Sequence, residues 1–200
     1  MKRFHEICTT PHVKRAAEVA LVGEHDILFV GTWESSKRAI ATTVEAEAYS
    51  LGFSIQVAHV APCPCGFWGD DSVPCVCDPA QIDQWRAETW PMRMPDIAVN
   101  VPRVRPEDVI AWARRGYTTG EHHDVISRRV IKARERDTPT EVDDYVWALA
   151  LALVKTDGLH PDALKTTMGI AVTIARMAGA DVINGVHFAE AAQYRVSRFT

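Results

Sequence analysis

The sequence predicts an α/β fold in its first half, a parallel sheet with flanking helices, followed by an all-helical second half. Three observations carry this expectation. Short β-type apolar runs alternate with a helical pattern before residue 101, every periodic stretch after Pro106 has helical spacing, and a cysteine-rich loop at 61–79 divides the first half. The boundary is expected at 101–106, giving units 1–104 and 105–200.

In chain order, Ile27, Leu28, Phe29 and Val30 form a compact apolar run closed by Gly31, and 53–60 alternates apolar with small or polar residues, so both read as strands. Between them, 34–50 carries Ala39, Ile40, Val44 and Ala48 at helical spacing, with Gly52 as its stop. This makes a strand, helix, strand crossover. Beyond the cysteines, 79–88 reads as a short helix and 97–101 as a last strand ended by Pro102.

The second half is expected to hold five helices. Pro106 opens the first, which reaches Arg115, and 121–136 forms a highly charged second. The third, 142–157, is apolar on every side and is expected at the centre of a bundle. Pro161 starts the fourth, Gly179 stops it, and Asn184 caps the fifth.

With 200 residues and 47% hydrophobic content, the chain can bury a substantial core. The apolar run 145–154 is too short to cross a bilayer, and the first residues have no apolar stretch of signal-peptide length, so a cytoplasmic protein without a membrane partner is expected. A net charge of -4 argues against wholesale coating of nucleic acid, while leaving room for local basic faces.

Cys63, Cys65, Cys75 and Cys77 form two Cys-x-Cys pairs astride a loop rich in Gly, Pro and Asp. Such a loop can fold back and bring four sulfurs to one point, as tetrahedral zinc requires. Disulfides or buried thiols are the competing reading, and they need an oxidising compartment or apolar surroundings. The expectation is one zinc ion. Its role is structural, because four thiolates leave no position for a substrate. Cys8 stands apart and has no assigned role.

Three other groups were weighed. Glu121, His122, His123 and Asp124 hold ligand-type side chains, but neighbours on a helix diverge, so a solvated helix start is the better reading. Arg128, Lys132 and Arg136 share one helix face and are the candidate contact with nucleic acid or an acidic partner; an exposed charged face is the plainer alternative. Trp85, Trp90 and Trp112 are expected to fill core rather than stack on bases.

The order of these features resembles the magnesium-chelatase class of AAA+ ATPases, and its ComM-like branch most closely. The resemblance runs from Glu18 to Arg195. It rests on the Pro-Cys-Pro-Cys-Gly segment at 62–66 with Asp78 and Pro79, on Val101, Pro102, Arg103 and Val104, on Ala133, Arg134, Glu135 and Arg136, on 172–179, and on the Ala-Glu-Ala-Ala-Gln-Tyr-Arg ending at Arg195. It implies a truncated AAA+-like sheet followed by a helical lid.

The family's nucleotide residues do not carry over. No Gly-x-x-x-x-Gly-Lys-Ser/Thr phosphate loop occurs in the chain. In the resemblance, the acidic pair after the Leu-Phe-Leu strand falls on Gly31 and Thr32, with Glu34 out of register. The asparagine before the cysteines falls on Ala61, the Asp-Arg before the last strand on Arg93 and Met94, and the arginine of the fourth helix on Asp162. Phosphoryl transfer relies on these groups for positioning and charge stabilisation. The resemblance therefore implies a catalytically inactive relative that does not hold ATP and acts in binding or assembly, joining an AAA+ ring, a copy of itself, or DNA. The alternative is a subunit of an ATP-dependent enzyme, of DNA helicase or metal chelatase type, whose phosphate loop comes from another chain.

Overall fold

A computed structural model describes residues 2–195. Residue 1 and residues 196–200, at the ends of the two expected units, lie outside the described residues. After a 3-10 turn at Phe4–Glu6, the chain runs through α1 (Pro11–Gly23), β1 (Ile27–Gly31), α2 (Lys37–Ser50), β2 (Val57–Val60), α3 (Pro79–Thr89), β3 (Ile97–Val101), α4 (Pro106–Arg114), α5 (His123–Arg134), β4 (Glu141–Val142), α6 (Asp144–Asp157), α7 (Pro161–Ala178), β5 (Val182–Ile183) and α8 (Gly185–Ala192). The fold is mixed α/β, with a three-stranded parallel sheet and helices on its flanks.

The sheet order is β2-β1-β3, with Ile27 opposite both Val57 and Ile97. Strand β1 is buried along its whole length, which explains its unbroken apolar run. Alternation along the strands divides the core in two. Ile27, Phe29, Ile97 and Val99 face the main core, whereas Leu28, Val30 and Ala98 join Val60 and Trp90 in a smaller cluster on the other face. The main core continues past residue 104 through Ile126, Val146 and Ile170 to Tyr194. The Ala98 amide donates to the Tyr194 carbonyl at 2.8 Å, so the end of the described chain bonds to the sheet edge.

Four expectations need correction. The strand expected over 53–60 begins only at Val57. Before it, the Phe53 amide closes α2 on the Ala48 carbonyl and the Gln56 amide is taken by Asp26 Oδ1, so 53–56 serves the helix exit and the strand entry. The helix expected from residue 34 starts at Lys37, because 33–36 turns out of β1. The second half is not all helix, since β4 and β5 pair in parallel, Glu141 with Val182 and Val142 with Ile183.

The fourth concerns the central helix. It is α1, which the sequence reading did not assign, and not the apolar 142–157 stretch. α1 packs against α2, β3, α5 and α7. Even its Lys14 and Glu18 are buried. α6 lies at the surface, burying Val146 and Ala150 while Tyr145, Trp147 and Leu151 remain more than half exposed.

Candidate metal centre

The loop between β2 and α3 folds back on itself through local bonds. The Gly66 amide donates to the Cys63 carbonyl at 3.0 Å, turning the chain after the first cysteine pair. Gly66 has φ +84°, and a Cβ there would meet the Trp33 ring at 2.5 Å, so both conformation and space call for glycine. Asp70 Oδ1 accepts from the amides of Ser72 and Val73 at 2.7 and 3.0 Å, an Asx turn that returns the second pair to the first. Asp78 then caps α3 in a reciprocal capping box with Gln81, and Pro79 occupies the first turn.

The result brings all four predicted ligands together. The Cys63 and Cys65 sulfurs are 3.4 Å apart, Cys63 and Cys75 3.7 Å, and Cys65 and Cys75 3.6 Å, with all four within 4.8 Å of one another. Around a zinc-sized ion with sulfur bonds of ~2.3 Å, tetrahedral thiolates lie about 3.8 Å apart. All five cysteines are free, and Cys63 is fully buried. The donor set and spacing therefore fit a single metal ion.

The electrostatics favour a cation at this point. Burial opposes ionisation of Cys65, but the backbone of Phe67 and Val76 and the thiols of Cys63 and Cys77 outweigh it and bring its pKa from 9.0 down to about 6. Burial pushes Cys75 up to about 12, with the Cys65 and Cys63 side chains adding to the rise against the backbone of Cys77. Cys77 is also raised, the pull of the Cys65 backbone being outweighed by burial and the neighbouring sulfurs. Cys65 is thus the readier thiolate, while burial and the neighbouring sulfurs hold Cys75 and Cys77 toward the protonated form. A divalent cation removes that resistance to ionisation.

The surrounding side chains brace the loop. The Trp68 amide donates to Cys63 Sγ at 3.3 Å, and Trp85 Nε1 donates to the Ala61 carbonyl at 3.0 Å. Trp33 meets Trp85 edge to face. The Arg86 guanidinium lies over the rings of Trp68 and Trp90, at 4.5 and 5.3 Å from their centroids. Burial lowers the Arg86 pKa, opposed by the charges of Asp83 and Cys63. Trp90 is buried in the smaller core, as expected, while Trp85 and Trp112 are only half-buried, Trp112 lying edge to face with Tyr117.

The turn from β1 into α2, where the resemblance places the acidic pair on Gly31 and Thr32, also carries a local pattern that the sequence reading did not weigh. Gly31 ends the central strand and Lys37 opens a helix, which is the strand–turn–helix setting of a phosphate loop. Residues 31–38 keep that loop's first glycine and its lysine, with Ser36 in place of the second glycine and Arg38 in place of Ser/Thr. The Lys37 amine donates to the Thr32 carbonyl at 2.6 Å, and Glu34 pairs with Arg103. The Gly-x-x-x-x-x-Lys spacing was the available signal. Nearby, a cavity of about 630 Å³ opens at the carboxyl ends of β1 and β3, where the strand order reverses. It is lined by Thr9, Thr32, Asn100 and Trp112, with the cysteine loop at Trp68–Ser72 as one wall.

The basic stripe divides. Arg128 and Lys132 are exposed, with Arg128 bonding only to the Asp124 carbonyl of its own helix. Arg136 is half-buried and donates to the carbonyls of Arg176 and Met177 at 3.1 and 2.6 Å, against Gly179 (φ +69°) at the end of α7. His122 caps α5, and His123 stacks on Phe4 beside Glu47, so these histidines serve packing and capping. Asp162 is exposed in the first turn of α7. Among the described residues, the four cysteines are the one group arranged to hold a metal, and no helix is long and apolar enough to cross a membrane.

No protein-family model matches this chain, and no curated protein matches it.

Proposed function

We propose that this chain is a binding or assembly protein: a catalytically inactive relative of the ComM-like branch of magnesium-chelatase-class AAA+ ATPases, braced by a structural zinc ion on Cys63, Cys65, Cys75 and Cys77. The turn at 31–38 carries the reading. There the resemblance places its acidic pair, yet Gly31 and Thr32 carry no carboxylate, the Thr32 carbonyl is taken by the Lys37 amine, and the nearby Glu34 is paired with Arg103. Without that pair, a magnesium ligand and the carboxylate that would prepare an attacking water are both missing.

Zinc is the metal that four thiolates at tetrahedral spacing favour as a single, redox-inert ion. With no open coordination position it orders the loop and takes no part in chemistry. The partner is an AAA+ ATPase subunit, a second copy of the chain, or DNA, and Arg128 and Lys132 are exposed cations on one helix face able to meet it.

A second reading has one observation in its favour. The cavity at the strand ends is lined by Thr9, Thr32 and Trp112, whose Oγ1, Oγ1 and Nε1 atoms are buried without partners. This suits an enzyme component whose nucleotide site is completed by a phosphate loop from another chain.

The test is thermal unfolding of the metal-loaded protein with and without millimolar Mg-ATP, because a ligand of the folded state must raise its stability. No shift is expected, and a clear one would end the reading of an inactive nucleotide site. Affinity capture from the native cell, with and without nuclease, separates protein partners from nucleic acid. ATP hydrolysis that appears only when a captured partner is added back would favour the second reading.

A further inference from the structure

We propose that the Arg86 guanidinium is the counter-charge of the four-cysteine metal centre and couples metal occupancy to the seating of α3 on the sheet. The inference rests on the metal reading above and assigns a role to a residue outside the ligand set.

Four thiolates around a divalent cation leave two net negative charges in a loop whose first ligand, Cys63, is fully buried. A partly buried anion of that size is stabilised by a compensating charge nearby. Arg86 is the cation at hand. Its planar group lies over Trp68 and Trp90, and its Nε and Nη2 atoms are buried without a hydrogen-bond partner. A guanidinium held this way is stabilised by the faces of two indoles and by a negative charge in its surroundings. The carboxylate of Asp83, three residues earlier on α3, is exposed to solvent and screened. The metal centre, with Cys63 fully buried and its other three ligands half-buried, connects directly to the stack, because the Trp68 amide donates to Cys63 Sγ.

The stack also explains what holds α3. This eleven-residue helix buries only Ile82, too little apolar surface to fix it on the sheet. Apart from the edge-to-face contact of Trp85 with Trp33, its other anchors run to the cysteine loop or to the residues after it. Asp78 forms the cap, Trp85 bonds to the Ala61 carbonyl, and Arg86 joins Trp68 in the loop to Trp90 in the smaller core under β1. Removing the metal frees the Trp68 end of this stack and leaves α3 held by Ile82, the contacts of Trp85 and the Trp90 end alone.

The experiment uses the full chain loaded with zinc, as parent, Arg86→Gln and Arg86→Lys. Zinc retention is followed against a competing chelator, and amide hydrogen exchange is mapped over α3, β1 and α1. Arg86→Gln is expected to weaken zinc binding roughly 10- to 100-fold, the range for groups that support metal ligands. Arg86→Lys should recover part of the loss, because it restores charge without the planar stack. Zinc removal from the parent should speed exchange in α3 while β1 and α1 stay protected. Zinc held by Arg86→Gln as tightly as by the parent would remove the counter-charge role. Equal α3 exchange with and without zinc in the parent would remove the coupling, and it decides that point even if Arg86→Gln does not fold. A parent that takes up no zinc would bring down the metal reading itself, which separates the two failures.

Discussion

Arg129 forks onto Glu18, its Nε and Nη2 donating to the two carboxylate oxygens at 2.8 Å each, and so clasps the buried helix α1 to α5. The Glu18 side chain is only 6% exposed, while Arg129 reaches the surface and also holds Glu121. Removing the cation leaves Glu18 buried and unpaired. Arg129→Met is therefore expected to lower unfolding stability by about 2 to 3 kcal/mol. Adding Glu18→Gln should return a good part of the loss, measured by urea denaturation of the single and double variants. Additive losses would mean that the pair does not act as a unit.

The metal centre predicts a stoichiometry. Elemental analysis of the purified protein should find about one zinc per chain. The Cys75→Ser, Cys77→Ser double variant should lose the ion together with thermal stability, because metal binding to the folded loop is folding energy. Cys8→Ser should leave both unchanged, since Cys8 lies outside the cluster. Metal-free protein that is fully folded and equally stable would rule the site out.

Acid sensitivity follows from two carboxylates. The His25 side chain holds the Asp96 pKa below its ordinary 3.8, and Arg129 holds Glu121 below its ordinary 4.5. A carboxylate whose folded pKa is depressed adds stability that is fully present above its unfolded pKa and is lost as pH falls through the folded value. The parent should therefore keep its advantage over Asp96→Asn near neutrality and lose it progressively below pH 3.8. Denaturant midpoints of both proteins across that range would show it, and a constant difference down to the lowest pH would contradict it.

The three basic residues of α5 and its exit should separate by function. Arg128→Glu with Lys132→Glu is expected to weaken any DNA or acidic-partner association steeply, with stability almost unchanged, because both side chains are exposed. Arg136→Glu should lower stability instead, as the α7 carbonyls lose their donor. If DNA is the partner, binding should also fall as salt rises. Identical DNA and partner binding by the Arg128, Lys132 double variant and the parent would exclude that face.

Proposed assembly predicts a size. Light scattering on the eluting protein should give more than one chain per particle, or an AAA+ ATPase should co-purify. A lone monomer with neither partner nor DNA leaves the ring-joining role without support.

What the sequence determined was whatever depends on neighbours along the chain. Strand β1 was legible because a fully buried parallel strand needs an unbroken apolar run. The helix caps at Asn184 and Gly179 were legible because caps are local hydrogen-bond and φ requirements. The four-cysteine cluster was legible because two Cys-x-Cys pairs across a turn-forming loop need only that loop to close. What only the tertiary structure decided was which surfaces are covered. α1 and α6 are both rich in apolar residues, and the choice of α1 as the buried helix depends on the sheet, α5 and α7 closing around it, which no local pattern records. The same holds for cations. Arg136 and Lys37 resemble solvated or phosphate-binding side chains in sequence, and both are held by carbonyl groups that the fold brings to them. Arg86 acquires its place over Trp68 and Trp90 because the metal loop and the sheet core meet there, eighteen residues before it in one direction and four after it in the other.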